Sequence, residues 1–98
     1  MQVTLYDDEI ELSTRELCRI CTIPADLLIE LVEYGVIEPV GQAPADWRFT
    51  QECIGRVQAS MRLTRELEIN LPAVALVLEM REQIRALHKQ LALLDDAR

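Results

Sequence analysis

The sequence predicts a mainly α-helical protein: a winged helix-turn-helix core followed by one long helix able to form a coiled coil. Three observations carry that expectation. Two short stretches with apolar faces are separated by a tight Thr22-Ile23-Pro24 junction. An aromatic pair around one basic residue, Trp47-Arg48-Phe49, follows a loop at Gly41 to Asp46. Val77, Met80, Ile84, Leu87, Leu91 and Leu94 then alternate three- and four-residue steps, the a/d pattern of nearly three heptads. The chain has 98 residues, half of them hydrophobic, which suits a single domain with a real core. The expected division is a core over about 13–69 and a dimerisation helix over about 71–94, within one domain spanning 1–98.

Taken in order, Val3 and Leu5 alternate with polar neighbours and suggest a short strand before an acidic turn at Asp7-Asp8. Ser13 followed by Glu16 is a capping box, with the hydroxyl taking an orphan amide and the carboxylate reaching back. Leu17, Cys18, Ile20 and Cys21 supply the apolar face of the first helix. Pro24 suits the first turn of a second helix, where Asp26 favours the dipole. Leu27, Leu28, Leu31, Val32 and Tyr34 make its apolar face, Gly35 stops it, and Pro39 prevents its resumption. Two short helices with a tight turn form a helix-turn-helix. Trp47 to Phe49 reads as a wing strand packing an aromatic onto the helices, with Trp47 as the plug rather than a partner-binding hot spot. Thr50 is placed to cap a third helix whose apolar positions are Ile54, Val57, Met61 and Leu67. Asn70 and Pro72 mark a break and a new start. The fourth helix begins apolar almost all round, in LPAVALVL, which implies burial of that end. Past Met80 the stripe narrows and implies a partner, either the same helix of a second chain or the third helix folding beside it, with a homodimer favoured.

Charge narrows the function classes. The net charge is −7, and it is uneven: residues 1–46 hold ten acids against Arg15 and Arg19 alone. An acidic half of this strength repels nucleic acid and attracts basic protein surfaces. The second helix of a DNA-reading helix-turn-helix needs donors for bases and phosphates. Pro24 to Tyr34 contains no Lys or Arg and carries Asp26, Glu30 and Glu33 instead. Arg56, Arg62 and Arg65 are a modest basic cluster. Glu52–Arg56 and Arg62–Glu66 stand at i,i+4, where intrahelical pairing accounts for them.

Other chemistry finds little support. No apolar run approaches the roughly 18–20 residues of a membrane span, and the acidic N-terminus is unlike a signal peptide. A cytoplasmic protein is expected. Cys18, Cys21 and Cys53 are an odd number and fit reduced, buried thiols better than a disulfide framework. A tetrahedral zinc site would have to recruit both Cys53 and His88, so no metal and no cofactor are expected. His88 lies beside the heptad seam and reads as an exposed polar residue; no glycine-rich phosphate loop is present, and no catalytic residue is assigned.

The order of elements resembles the MerR-type winged helix, and the residues match more closely its divergent branch, the chaperone modulator CbpM family. The resemblance is carried by TRELCRICTIPADLLIELVEYGVIEP (Thr14 to Pro39), the WRF of the wing, and RVQASMRLTRELEINLPAVALVL (Arg56 to Leu78). It implies a non-enzymatic adaptor that binds the J-domain of a DnaJ-like co-chaperone, CbpA, and inhibits it, dimerising through its last helix. J-domains present a basic helix to their Hsp70, so the acidic face at Asp26, Glu30 and Glu33, with Glu38 beyond, is the expected partner-binding patch. Val77, Met80, Ile84, Leu87, Leu91 and Leu94 are the expected dimerisation residues. The alternative reading is a MerR-like DNA-binding transcriptional regulator; a purely structural dimerisation module is a third.

Overall fold

A computed structural model describes residues 11–96, and the strand expected around Val3 and Leu5 and the turn at Asp7-Asp8 lie outside them. The described chain runs β1 (Glu11–Ser13), α1 (Thr14–Cys21), α2 (Ala25–Glu33), a 3₁₀ turn (Pro44–Asp46), β2 (Arg48–Thr50), α3 (Glu52–Leu67) and α4 (Leu71–Asp96). This is the mainly helical winged helix-turn-helix with a long last helix that the residue pattern predicts.

The capping box forms as its residue types require. The Ser13 hydroxyl accepts from the Glu16 amide at 3.1 Å, and the Glu16 carboxylate accepts from the Ser13 amide at 2.8 Å. Thr22 closes α1 in the left-handed region, and the Ile23 amide returns to the Cys18 carbonyl at 3.0 Å. Pro24 stands at the N-cap of α2, one position before the first helical turn where it was expected. A proline there has no N–H to leave unpaired, so the position is equally compatible with its ring. Gly35 ends α2 with a φ of +78°, a conformation open to glycine without a Cβ penalty.

The wing is assembled across the chain. β1 and β2 run antiparallel with Leu12 opposite Phe49 and Ser13 opposite Arg48. Val40 adds an antiparallel bridge on the other side of Arg48, with amide-to-carbonyl bonds of 3.0 and 2.9 Å. Gly41 turns the chain between them at a φ of +126°, and a Cβ there would sit 2.7 Å from the Asp46 carbonyl oxygen. The sequence pattern carries no sign of β1. Three residues are too few for alternation to be visible, and the strand exists because β2 pairs with it.

Leu12, Leu17, Leu28, Leu31, Val36, Ile37, Phe49, Cys53, Val57, Val74 and Leu78 form one contiguous core. Some expected core positions fall outside it. Ile20, Tyr34 and Leu67 are 48%, 47% and 61% exposed, although residues close to each of them along the chain (Cys21, Val36 and Ile69) pack in or against the core. The enclosed aromatic of the wing is Phe49, fully buried within β2, while Trp47, one residue before the strand, is partly buried against the core and meets Phe49 edge-on at 6.0 Å. Thr50 does not cap α3, because the helix begins at Glu52 and leaves Thr50 one residue short of the N-cap. Gln51 holds the N-cap position without a side-chain bond, and the Thr50 hydroxyl lies 4.0 Å from the Cys53 sulfur. Ser60, unexpected inside, is satisfied by donating to the Arg56 carbonyl at 2.7 Å.

The α3–α4 junction follows its residue types. Asn70 accepts from the Ala73 amide at 3.0 Å, and α4 starts directly after it. Val74 and Leu78 are buried against the core, although Leu76 on the same turns is exposed. Arg56 ties α4 further: its guanidinium donates to the Val36 carbonyl and pairs with Glu82. The expected Glu52–Arg56 pair is therefore replaced by a contact between elements, the single ion pair among the described residues.

Candidate functional site

Asp26, Glu30 and Glu33 recur at steps of four and three along α2, which places them on one face of a helix, and all three are exposed. The Asp26 carboxylate folds onto the Leu27 amide at 2.9 Å, so the first turn of α2 is partly capped by its own acid. Glu38 is exposed as well, but lies beyond the Gly35 turn. It lines a separate hollow with Glu52, Arg56 and Glu82, so the fold brings together three of the four expected acids and sets the fourth beside α3. The buried Leu28 and Leu31 anchor the opposite face of α2, which fixes the orientation of the acidic stripe.

The basic residues near this surface are few. Arg48 projects from the wing and donates to its neighbouring Trp47 carbonyl at 2.9 Å, and Arg15 is exposed at the start of α1. Arg62 and Arg65 are exposed on α3, while Arg56 is committed to Val36 and Glu82. Between α1, α2 and the 3₁₀ turn lies a groove of about 740 Å³ lined by Arg15, Cys18, Ala25, Ile29, Ala45 and Arg48 among others. The Thr14 hydroxyl donates to the Pro44 carbonyl at 2.8 Å and pins the 3₁₀ turn to α1, which keeps the groove shaped. The one sequence signal for it is the i,i+4 pair Ala25 and Ile29, adjacent to two of the acids.

The cysteines have the character of packing residues. Burial pushes all three thiols above the ordinary value, and Cys21 is pushed further by its neighbours Cys18 and Cys53. At Cys53 the hydrogen bond from Thr50 works against burial without reversing it. Thiols held protonated are poor nucleophiles and poor metal ligands. Among the described residues no group of three His, Cys, Asp or Glu side chains is placed to hold a metal ion. His88 is exposed on α4.

The α4 seam is open along most of its length. Val77 is half-buried, but Met80, Ile84, Leu87, Leu91 and Leu94 are 50–64% exposed. No described helix is long and apolar enough to cross a membrane.

A winged helix-turn-helix with a long terminal helix is the architecture of MerR-type regulators, and residues 12–96 match the family described as MerR HTH family regulatory protein. Within it, the chain is 34% identical over 85 residues to chaperone modulatory protein CbpM of Pseudomonas putida (strain GB-1), covering 87% of this chain and 84% of that one. It is also 34% identical over 80 residues to chaperone modulatory protein CbpM of Coxiella burnetii (strain Dugway 5J108-111), covering 82% and 76%. The chain belongs to the CbpM family, a branch of the MerR-type fold.

Proposed function

We propose that this chain is a chaperone modulator, a non-enzymatic adaptor that binds the J-domain of a DnaJ-like co-chaperone, CbpA, and inhibits its co-chaperone activity. The observation that carries this reading is the exposed row of Asp26, Glu30 and Glu33 on α2, with no Lys or Arg on that helix. In this fold α2 is the helix that would enter a DNA groove, and carboxylates there are repelled by phosphate and release no counterions. The same row is complementary to a basic helix, which it attracts and orients. Occupying that helix keeps the co-chaperone from its Hsp70. Glu38 extends the negative field beyond the turn. The relatives' description as chaperone modulatory proteins supports the same conclusion. The active unit is a homodimer joined along α4 through Val77, Met80, Ile84, Leu87, Leu91 and Leu94, since an exposed apolar seam of that length is costly in water.

The test is calorimetric titration with an isolated J-domain of a CbpA-like co-chaperone at low and moderate salt. Saturable, salt-weakened binding is expected, and E30K/E33K is expected to weaken it about tenfold at low salt and to flatten the salt dependence. Unchanged affinity of E30K/E33K removes the acidic row from the site. A DNA-binding regulator is the second reading, with the exposed Arg48, Arg62 and Arg65 in its favour. A salt-sensitive shift of duplex DNA, absent in R62E/R65E, would establish it instead.

A further inference from the structure

The acidic row explains attraction and orientation, but charge at an exposed face contributes little affinity without apolar anchors. The groove between α1, α2 and the wing supplies a place for them. Ala25 and Ile29 form its α2 side, with Cys18 from α1 and Pro44 and Ala45 from the 3₁₀ turn completing an apolar lining. Two polar flanks accompany that lining. Asp26 and Glu30 each follow one of the α2 lining residues, about 100° further round the helix and exposed. Arg15 and Arg48 belong to the groove wall on the α1 and wing side. The groove is therefore apolar at its centre, negative beside α2, and positive beside α1 and β2.

Resting on the J-domain reading above, we infer that this groove seats the apolar ridge of an amphipathic helix of the partner, with basic residues toward Asp26 and Glu30 and a carboxylate toward Arg15 and Arg48. A helix carries its apolar stripe between polar flanks, and this surface has the inverse arrangement. About 740 Å³ leaves room for several aliphatic side chains rather than one. The occupant is a partner and not a second copy, because the apolar seam open to pairing lies on α4, and no α4 residue lines the groove.

The sign of one charge change distinguishes this arrangement from attraction of a basic partner to an acidic surface. Arg15→Glu makes the protein more acidic. It tightens J-domain binding if net charge is the whole cause, and weakens it if a partner carboxylate faces Arg15. An acid in the first turn of α1 suits the helix dipole, so the variant is compatible with folding. Ala45→Trp fills the groove from an exposed position outside the core. Calorimetric titration of the full chain with the J-domain is expected to show about a fivefold loss for R15E at low salt. A loss of tenfold or more is expected for A45W at both low and moderate salt, with far-UV circular dichroism unchanged. Alkylation of Cys18, followed by peptide mass spectrometry, is expected to slow at least fivefold in the complex, because Cys18 lines the groove. Binding of wild-type protein together with tighter R15E, unaffected A45W or undiminished Cys18 alkylation overturns the groove and leaves the acidic row to be judged by E30K/E33K. Absence of wild-type binding removes both.

Discussion

Ser13 and Glu16 illustrate how much a single local pairing decides. Each satisfies the other's backbone amide at the start of α1, and the arrangement needs only the two residue types at a spacing of three. Ser13→Ala is expected to lower stability by about 1 kcal/mol in urea unfolding. The Glu16 carboxyl is held below its ordinary value of 4.5 chiefly by the Ser13 amide, then by the Ser13 hydroxyl. Its contribution is present above that ordinary value and is lost as pH falls through the lower folded value. E16Q is therefore expected to flatten the stability profile on the acid side of pH 4.5, and an unchanged profile would place the linkage elsewhere. Phe49 and Trp47 differ in a way their types do not announce. Phe49→Ala should cost about 3–5 kcal/mol, and Trp47→Ala distinctly less, because only the former ring is fully enclosed. Equal losses in chemical denaturation would contradict the assignment of Phe49 as the enclosed aromatic.

Among the elements, α4 is held at its first half and open beyond it. Val74 and Leu78 are buried, and Arg56 reaches from α3 to the Val36 carbonyl and to Glu82. The ion pair itself is half-exposed on the Glu82 side, so its coupling is modest, about 0.2–1 kcal/mol in a double-mutant cycle. Arg56→Ala should nevertheless destabilise more than Glu82→Ala, since it also strips a donor from the Val36 carbonyl on a buried turn. Similar losses for the two variants in urea unfolding would show that the backbone contact contributes nothing. The same anchoring has a functional consequence. It sets the direction in which the rest of α4 leaves the core, and with it the placement of the exposed seam.

For the molecule as a whole, the proposed dimer separates the two surfaces by task. Pairing along α4 uses the apolar seam, while the acidic row and the groove lie on α1, α2 and the wing. I84D/L87D is expected to convert the protein to a monomer in sedimentation equilibrium while preserving its helical signal, because both side chains are exposed within the single chain. Wild-type protein should show a concentration-dependent thermal transition that this variant lacks. A wild-type monomer at every concentration would remove the seam as an interface. If the variant monomer still binds a J-domain, one subunit carries a complete site.

Much of this protein is determined within short stretches of its sequence. The caps at Ser13 and Asn70, the stop at Gly35, the acidic row at 26, 30 and 33, and the heptad steps from Val77 to Leu94 depend on residue type and helical period alone. They are legible because the interactions span no more than a few residues. Tertiary structure decided what depends on meetings across the chain: β1 existing because β2 pairs with it, Phe49 rather than Trp47 entering the core, and Arg56 choosing Glu82 over Glu52. The groove belongs with these, since Arg15, Ile29 and Ala45 share no local pattern and are gathered only when the wing closes onto α1 through Thr14 and Pro44. The physical reason is the same in each case. A periodic pattern specifies which side of an element is apolar, whereas the identity of the opposing surface follows from how the whole chain packs to exclude water.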